Sequence, residues 1–185
     1  MPRKLRCFLI CEDVEHEQFF SPLLKRRFRR VYVEPRKKQR GGASFVLRNV
    51  ERLASYVRQR PQEAVALLVV IDGDEAGLQR RLDEIGKAAG FSGAAWEKRI
   101  ATCIPCRSVE TWEIWLCGVR EVDEQESYKQ AFRREVERGT MSSRRAVEAW
   151  FLPLSAAEQQ AEESRLPALA HGRREIARLQ AFAGP

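Results

Sequence analysis

An apolar run that ends in acidic residues is the feature of this sequence with the clearest chemical meaning. The segment LLVVIDGDEAG, residues 67–77, passes from apolar side chains directly to Asp72, Asp74 and Glu75. Carboxylates this close repel one another, and each raises the pKa of its neighbour unless a positive charge lies nearby. The sequence leaves three sources of that charge open: a basic side chain, a helix N-terminus or a metal ion.

Acidic residues follow three of the predicted strands, at the point where each strand ends. Glu12 and Asp13 follow the first strand, Asp72 and Asp74 follow the third, and Glu110 lies just beyond the fourth. Sites in open parallel sheets form at the carboxyl ends of the strands, so we expect these acids to lie close together. Hard oxygen ligands suit Mg²⁺ or Mn²⁺, and a chain with two histidines has little material for a histidine-based zinc hydrolase.

A simpler explanation is that Asp72 caps a helix that begins near Glu75, since aspartate is a common N-cap. This alternative accounts for the acids after the third strand but not for Glu12 and Asp13, so the metal site is favoured. Gly73, between the two aspartates, is expected to allow a tight turn that points both side chains the same way.

Strand and helix patterns alternate along the first half of the chain, which predicts an α/β fold with a parallel four-stranded sheet flanked by helices. Residues 1–118 would form this core. Residues 119–185 would form a helical extension packed on it, within a single domain. The predicted strands are 5–10, 29–35, 64–72 and 99–105. The predicted helices are 14–27, 43–60, 75–89, 107–117, 126–138, 142–152, 156–164 and 173–182.

Composition bounds the class of protein. The chain has 185 residues, 44% of them hydrophobic and 32% charged, and no apolar run long enough to span a membrane. The short apolar stretch near the N-terminus runs into acids, so we expect no signal peptide and a cytoplasmic location. The five cysteines include a CxxC at Cys103 and Cys106 and a pair at Cys7 and Cys11. We expect them to pack as small hydrophobes, with a zinc site as the alternative.

Basic residues are concentrated in one segment, residues 21–40. It holds nine lysines or arginines and one acid, Glu34, and so carries a charge of +8; since the net charge of the whole chain is +7, the remaining residues sum to about −1. Such a stripe is typical of proteins that bind polyanions, so a nucleic acid is the expected partner. The residues expected to contact phosphates are Arg26, Arg27, Arg29, Arg30, Arg36, Lys37, Lys38 and Arg40, together with Arg107 at a later helix start.

Glu110 and Glu113 lie three apart on one predicted helix, as do Trp112 and Trp115. Tryptophans at helical spacing most often pack a helix against the core, and this is the favoured interpretation. The alternative is that they stack on nucleic-acid bases.

The order of these motifs resembles the Toprim superfamily, and most closely the small RloB-like and OLD-type proteins of bacterial defence loci. The resemblance rests on CEDVEHEQFF (11–20), DGD (72–74), IPCRSVETWEIWL (104–116) and the closing LPALAHGRREIARLQAF (166–182). It implies a Rossmann-like sheet, with Glu12 as general acid/base or metal-bridging residue and Asp72 and Asp74 as the metal-binding pair. One departure is Asp13, which stands where these relatives usually have glycine.

The resemblance implies a Mg²⁺- or Mn²⁺-dependent nuclease that acts on DNA or RNA in phage defence, with a partner ATPase or another defence subunit. A non-catalytic subunit that binds nucleic acid or a partner protein is the alternative. An enzyme acting on small phosphates is a third class, and the long basic stripe disfavours it.

Overall fold

Four short apolar segments form a fully parallel sheet in the order β2-β1-β3-β4. The structure is a computed structural model, and it describes residues 6–26, 28–34, 42–90 and 98–183. The strands are β1 Arg6–Cys11, β2 Arg30–Glu34, β3 Val65–Val70 and β4 Ile100–Cys103. All six residues of β3 are buried, as expected for a central strand that helices cover on both faces.

Eight helices are present in the described ranges, and they flank the sheet. They are α1 Val14–Lys25, α2 Gly42–Arg58, α3 Gly77–Ala88, α4 Val109–Leu116, α5 Lys129–Glu137, α6 Ser143–Trp150, α7 Ala156–Arg165 and α8 Pro167–Ala183. The α/β class and the parallel four-stranded sheet predicted from the sequence are therefore confirmed, and the arrangement is compatible with a Rossmann-like fold.

The two faces of the sheet carry different sets of helices, because successive strand residues point to opposite sides. Leu67 and Val69 of β3 pack with the apolar residues of α2 and α3. Leu68 and Val70 face the other way and join a larger cluster that includes residues of α1, α4, α6 and α8. The sheet is thus the middle of three layers.

Trp112 and Trp115 of α4 are both buried in the larger cluster, which confirms the packing interpretation of these residues. Trp112 lies 6.0 Å from Phe20 and 6.3 Å from Trp150, measured between ring centroids. A Cβ at Gly172 of α8 would meet the Trp112 ring at 2.9 Å, so α8 can lie this close only with glycine at that position.

Helix α8 begins at Pro167, six residues before the predicted start at residue 173. The sequence pattern placed the start too late because Pro167 and Gly172 look like helix breakers. Proline is tolerated in the first turn of a helix, and the glycine is required by the close approach of Trp112.

The cysteines are free thiols, and those at positions 7, 11 and 103 are buried. No cysteine belongs to a group of potential metal ligands within the described ranges. This agrees with packing as small hydrophobes. Across the same part of the chain, no helix has both the length and the apolar character needed to cross a membrane.

Candidate functional site at the carboxyl ends of β1 and β3

Strand register brings Glu12 and Asp72 into contact. Cys11, the last residue of β1, pairs with Val70, the last residue of β3, so the residues that follow both strands emerge side by side. The backbone N–H of Asp72 donates to Oε2 of Glu12 at 3.1 Å. Asp72 is only 6% exposed and Glu12 is half-buried, so this contact is largely shielded from solvent.

His16 joins the acids of the two strands. Its Nε2 donates to Oδ1 of Asp72 at 3.0 Å, and its Nδ1 lies 3.1 Å from Oδ1 of Asp13. Asp13 is also the N-cap of α1, since its carboxylate accepts the backbone N–H of His16 at 2.9 Å. The cap therefore fixes the first turn of the helix so that the imidazole reaches across to β3.

Asp13, His16 and Asp72 each offer one ligand atom, and these three atoms lie within 4.8 Å of one another. Within the described ranges, this is the group whose geometry could hold a metal ion. Nδ1 of His16 is buried and makes no hydrogen bond of acceptable geometry to any described group. In the neutral imidazole this nitrogen would suit metal coordination, because it lies beside the Asp13 carboxylate and makes no hydrogen bond of its own.

The acids of the group favour the positively charged form of His16, and His16 in turn favours the ionised form of Glu12. Burial lowers the pKa of His16, but the hydrogen bond that it donates to Asp72 and the charges of Asp72, Asp13 and Glu12 outweigh it, and the net shift is upward. Burial raises the pKa of Glu12; the Asp72 backbone N–H opposes this shift, and the Asp72 charge adds to it. An imidazolium at His16 is therefore one source of the positive charge that the sequence required.

Asp74 lies at the rim of the site. Its side chain is 56% exposed and lies 3.5 Å from the guanidinium of Arg81, which also donates from Nε to the carbonyl of Asp72 at 2.9 Å. The charge of Asp74 contributes to the raised pKa of Glu12, so the two carboxylates act on each other. Arg81 thus holds the 72–74 turn from the side of α3.

The turn itself differs from the sequence prediction in one respect. The positive φ falls on Asp74, at 45°, and Gly73 does not have one. Gly73 is needed for space: its N–H donates to the Pro105 carbonyl at 2.6 Å, and a Cβ would meet the backbone of Cys106 at 3.1 Å. Asp72 is not a helix cap either, because α3 begins at Gly77 and its N-cap is Ala76.

The first residue of α2 closes the site from the other side. A Cβ on Gly42 would lie 3.6 Å from Oε1 of Glu12, so the N-terminus of this helix adjoins the glutamate. The free N–H groups and the dipole at a helix N-terminus favour negative charge. The helix end is therefore a second source of positive potential at the acids.

Glu110 lies apart from the three-residue group. It is the second residue of α4 and is buried, and with Glu113 it lines a cavity between α1, α4, α5 and α6. Arg107, just before this helix, donates from Nε to the carbonyl of Gln125 at 3.0 Å. Both residues were expected near the strand-end site because they follow β4 closely in the sequence. In the structure, α4 directs Glu110 towards α5 and α6.

The basic stripe is described only in part. Arg26 is the C-cap of α1 and lies over the ring of Phe151 at 4.8 Å, while Arg29 and Arg30 are exposed at the start of β2. The remaining predicted phosphate contacts, Arg27, Arg36, Lys37, Lys38 and Arg40, lie outside the described residues.

No family model matches the chain, and comparisons with curated proteins and with solved structures found no match. Function must therefore be argued from the site.

His16 is the site residue that sequence reasoning missed. Histidines were dismissed because the chain has two of them, too few for a histidine-based zinc site. The available signal was local: His16 follows Asp13 by three positions, directly after a predicted strand. That spacing puts both side chains on the first turn of the following helix, at the sheet edge.

Proposed function

We propose that this protein is a metal-dependent nuclease of the Toprim type that hydrolyses phosphodiester bonds in DNA or RNA. The observation that carries the proposal is the contact between Glu12 and Asp72, at the carboxyl ends of two adjacent parallel strands. Asp13 and His16 add two further ligand atoms at the same place.

The donors present fit a divalent ion. Asp72, Asp13 and His16 would hold it, with Glu12 and Asp74 beside them. Such an ion neutralises the charge that develops on phosphate and lowers the pKa of bound water. Because Mg²⁺ takes oxygen ligands almost exclusively and an imidazole is part of this set, the donors favour Mn²⁺.

The protein's own groups supply the rest of the chemistry. Glu12 has a raised pKa and lies next to Asp72, which suits a residue that accepts or donates a proton at the reacting water. The α2 N-terminus at Gly42 and the guanidinium of Arg81 offer positive potential on two sides of the acids, where a phosphate would lie.

A nucleic-acid substrate is supported by the basic residues of the segment 21–40. Arg29 and Arg30 are exposed at the amino end of β2, where Arg30 pairs with Arg6, so they could contact a flanking part of a long nucleic acid but not the phosphate at Glu12. Along the sequence, Arg40 precedes Gly42 by two positions, and Gly42 adjoins Glu12. A role in phage defence and a partner ATPase rest on the Toprim resemblance alone, and a cytoplasmic location rests on the acids that follow the short N-terminal apolar stretch.

The test is a cleavage assay on plasmid DNA, single-stranded DNA and tRNA, with Mn²⁺, Mg²⁺ or a chelator. We expect cleavage of at least one substrate, faster with Mn²⁺ than with Mg²⁺, and none with chelator. Cleavage that persists in chelator, or the same rate in Asp72→Asn as in the unmodified protein, would contradict the proposal.

A non-catalytic subunit that binds nucleic acid or a partner is the second candidate, and one observation favours it. His16, with its raised pKa, can neutralise the acids of the site without a metal. This candidate predicts nucleic-acid binding that is the same with Mn²⁺ and with chelator, and no cleavage. Equilibrium dialysis with Mn²⁺ separates the two, since a nuclease site retains the ion and an internally neutralised site does not.

A further inference from the structure

A cavity of about 550 Å³ lies between α1, α4, α5 and α6. It is much larger than the space of about 30 Å³ that one water occupies, so it can accept an organic molecule. Its walls include the carboxylates of Glu15, Glu110 and Glu113 and the apolar side chains of Phe132 and Val136. No part of the proposed nuclease chemistry uses this cavity.

Two carboxylates of the cavity are buried with oxygens that have no partner. Glu110 is 3% exposed and Glu113 is 2% exposed. Across the residues that the structure describes, neither Oε2 of Glu110 nor Oε1 of Glu113 accepts a hydrogen bond. A buried carboxylate oxygen without a donor is costly, so both atoms point to a ligand that brings N–H groups.

A bare metal ion does not fit these glutamates. Among the described residues, the ligand atoms close enough to share an ion belong to Asp13, His16 and Asp72. Neither Glu110 nor Glu113 is part of that group. The donor must therefore come from a larger molecule that spans the cavity. The mixture of buried acids with Phe132 and Val136 suits a flexible alkyl chain that carries positive nitrogen at its ends.

We infer that the cavity binds an aliphatic polyamine or a closely similar organic cation, whose ammonium groups donate to Glu110 and Glu113 and whose alkyl chain packs on Phe132 and Val136. Glu137 and Glu15 also line the cavity and can receive a second ammonium group. The inference rests on α4 and its neighbours and does not depend on the nuclease proposal.

The basic residues of the cavity do not reverse its preference for a cation. Arg144 is largely exposed and pairs with Glu148 at 3.1 Å, and Arg133 is also exposed, whereas the unpartnered acids are buried. The whole chain carries a net charge of +7, which repels cations in general. Cation binding to this protein therefore requires a local acidic site.

Protonation of Glu113 provides an independent readout. Burial raises the pKa of Glu113 to about 8, with the Ser143 hydroxyl opposing and the charges of Glu110 and Glu15 adding to the shift. His16 of α1 opposes the shift, and Arg133 of α5 and Arg144 of α6 are the cations that line the same cavity. A bound ammonium favours the ionised carboxylate, so binding near pH 7 should release about one proton.

The test is isothermal titration calorimetry of the full chain, freed of nucleic acid, with spermidine as the probe. The matched variants are Glu110→Gln, Glu113→Gln and, as a control, Glu126→Gln, which removes the same charge from an exposed position. We expect each cavity variant to weaken spermidine binding about tenfold or more, and the control to leave it unchanged. The uncharged 1,8-octanediol should not bind.

Repeating the titration in buffers of different ionisation enthalpy counts the protons released. We expect release with the unmodified protein and with Glu126→Gln, and its loss in Glu113→Gln. Thermal unfolding of every variant shows that the fold is retained, and the two cavity variants provide independent tests should one fail to fold. Equal spermidine affinity in all variants, or binding of the diol as strong as that of spermidine, would overturn the inference.

Discussion

The acids at the strand ends and the acids of the α4 cavity differ in how their charge is neutralised. At the strand ends, Asp72 accepts from His16 and Glu12 accepts the backbone N–H of Asp72. In the cavity, Glu110 and Glu113 keep buried oxygens without a donor from the described residues. Residues of α1 contribute to both groups. The strand-end acids accept hydrogen bonds from the protein, whereas one oxygen of each cavity glutamate does not.

The comparison shows that the chemistry of a cluster of acids depends on which donors and positive charges surround it. Burial raises the pKa of both Glu12 and Glu113, and His16 opposes both shifts, but only Glu12 also accepts a backbone N–H, whereas Glu113 is opposed by the Ser143 hydroxyl. The first group is organised before any ligand arrives. The second is costly to leave empty, and a ligand with N–H donors relieves that cost.

The largest effect is expected at Asp72. Asp72→Asn keeps the shape of the side chain but removes a charge that a metal ion requires. Loss of an outer partner of a metal ligand costs about 10–100-fold, so loss of a direct ligand should lower cleavage by more than about 100-fold. Cleavage rates with Mn²⁺ measure the effect, and Asp83→Asn, on the exposed face of α3, is the control. A loss of similar size in the control would show that charge in general, and not this site, matters.

The second prediction concerns the internal cation of the strand-end group. His16→Gln leaves the buried Asp72 without its charged partner, and breaking a buried pair costs about 3 kcal/mol. Urea unfolding in the presence of chelator measures the free energy of unfolding. His171→Gln is the control, because His171 is bonded to the Thr102 hydroxyl and burial lowers its pKa. If both variants lose equal stability, then His16 has no special role in neutralising the acids.

The third prediction uses the raised pKa of Glu113, about 8 in the folded protein against an ordinary value of 4.5. Between these two values the folded state holds a proton that the unfolded state has released. The free energy of unfolding should therefore fall by about 1.4 kcal/mol for each pH unit of increase in this window, and level off above it.

Glu113→Gln should remove this contribution to the pH dependence, since glutamine does not titrate. Unfolding curves at several pH values, compared with Glu126→Gln, measure it. A variant whose stability falls with pH as steeply as that of the unmodified protein would show that Glu113 is ionised in the folded state.

The smallest effect is expected at the exposed basic residues. Replacing Arg29 and Arg30 with glutamine should weaken nucleic-acid binding modestly and reduce the slope of log affinity against log salt by about 1–2, because each phosphate contact releases counterions. Fluorescence anisotropy across a salt series measures the slope. Arg138→Gln, on the exposed end of α5, is the control. An unchanged slope in the double variant would assign these arginines to a protein partner.

The sheet was predictable from the sequence because its strands are short apolar runs that end in polar residues. The buried run ending at Asp72 and the alternation of strands with helices were enough to predict that the strands are parallel, but not the order β2-β1-β3-β4. The positions of β1 and β3 differ from prediction by one or two residues at each end. Contact between Glu12 and Asp72 follows from that order together with the register.

The parts of the site that sequence reasoning missed depend partly on a local helix cap and partly on packing between distant residues. His16 reaches Asp72 only because Asp13 caps α1 and fixes its first turn. The requirement for glycine at position 73 depends on the Pro105 carbonyl and the Cys106 backbone, which leave no space for a side chain. The position of Glu110 depends on the direction in which α4 leaves the sheet. The Asp13 cap is local, whereas the contact of His16 with Asp72 and the surroundings of Gly73 are set by packing between residues far apart in the sequence.

The last helix of the chain covers the last strand of the sheet, and this has a consequence for folding during synthesis. The Thr102 backbone N–H donates to Glu175, and Arg178 donates to the carbonyl of Ile100 at 2.6 Å. Leu179 lies in the same apolar cluster as Leu9 of β1. Chains leave the ribosome from the N-terminus at about 5–20 residues per second. The face of β4 that α8 covers therefore stays exposed until residues 167–183 emerge, so β4 acquires these hydrogen bonds more than sixty residues after its own synthesis.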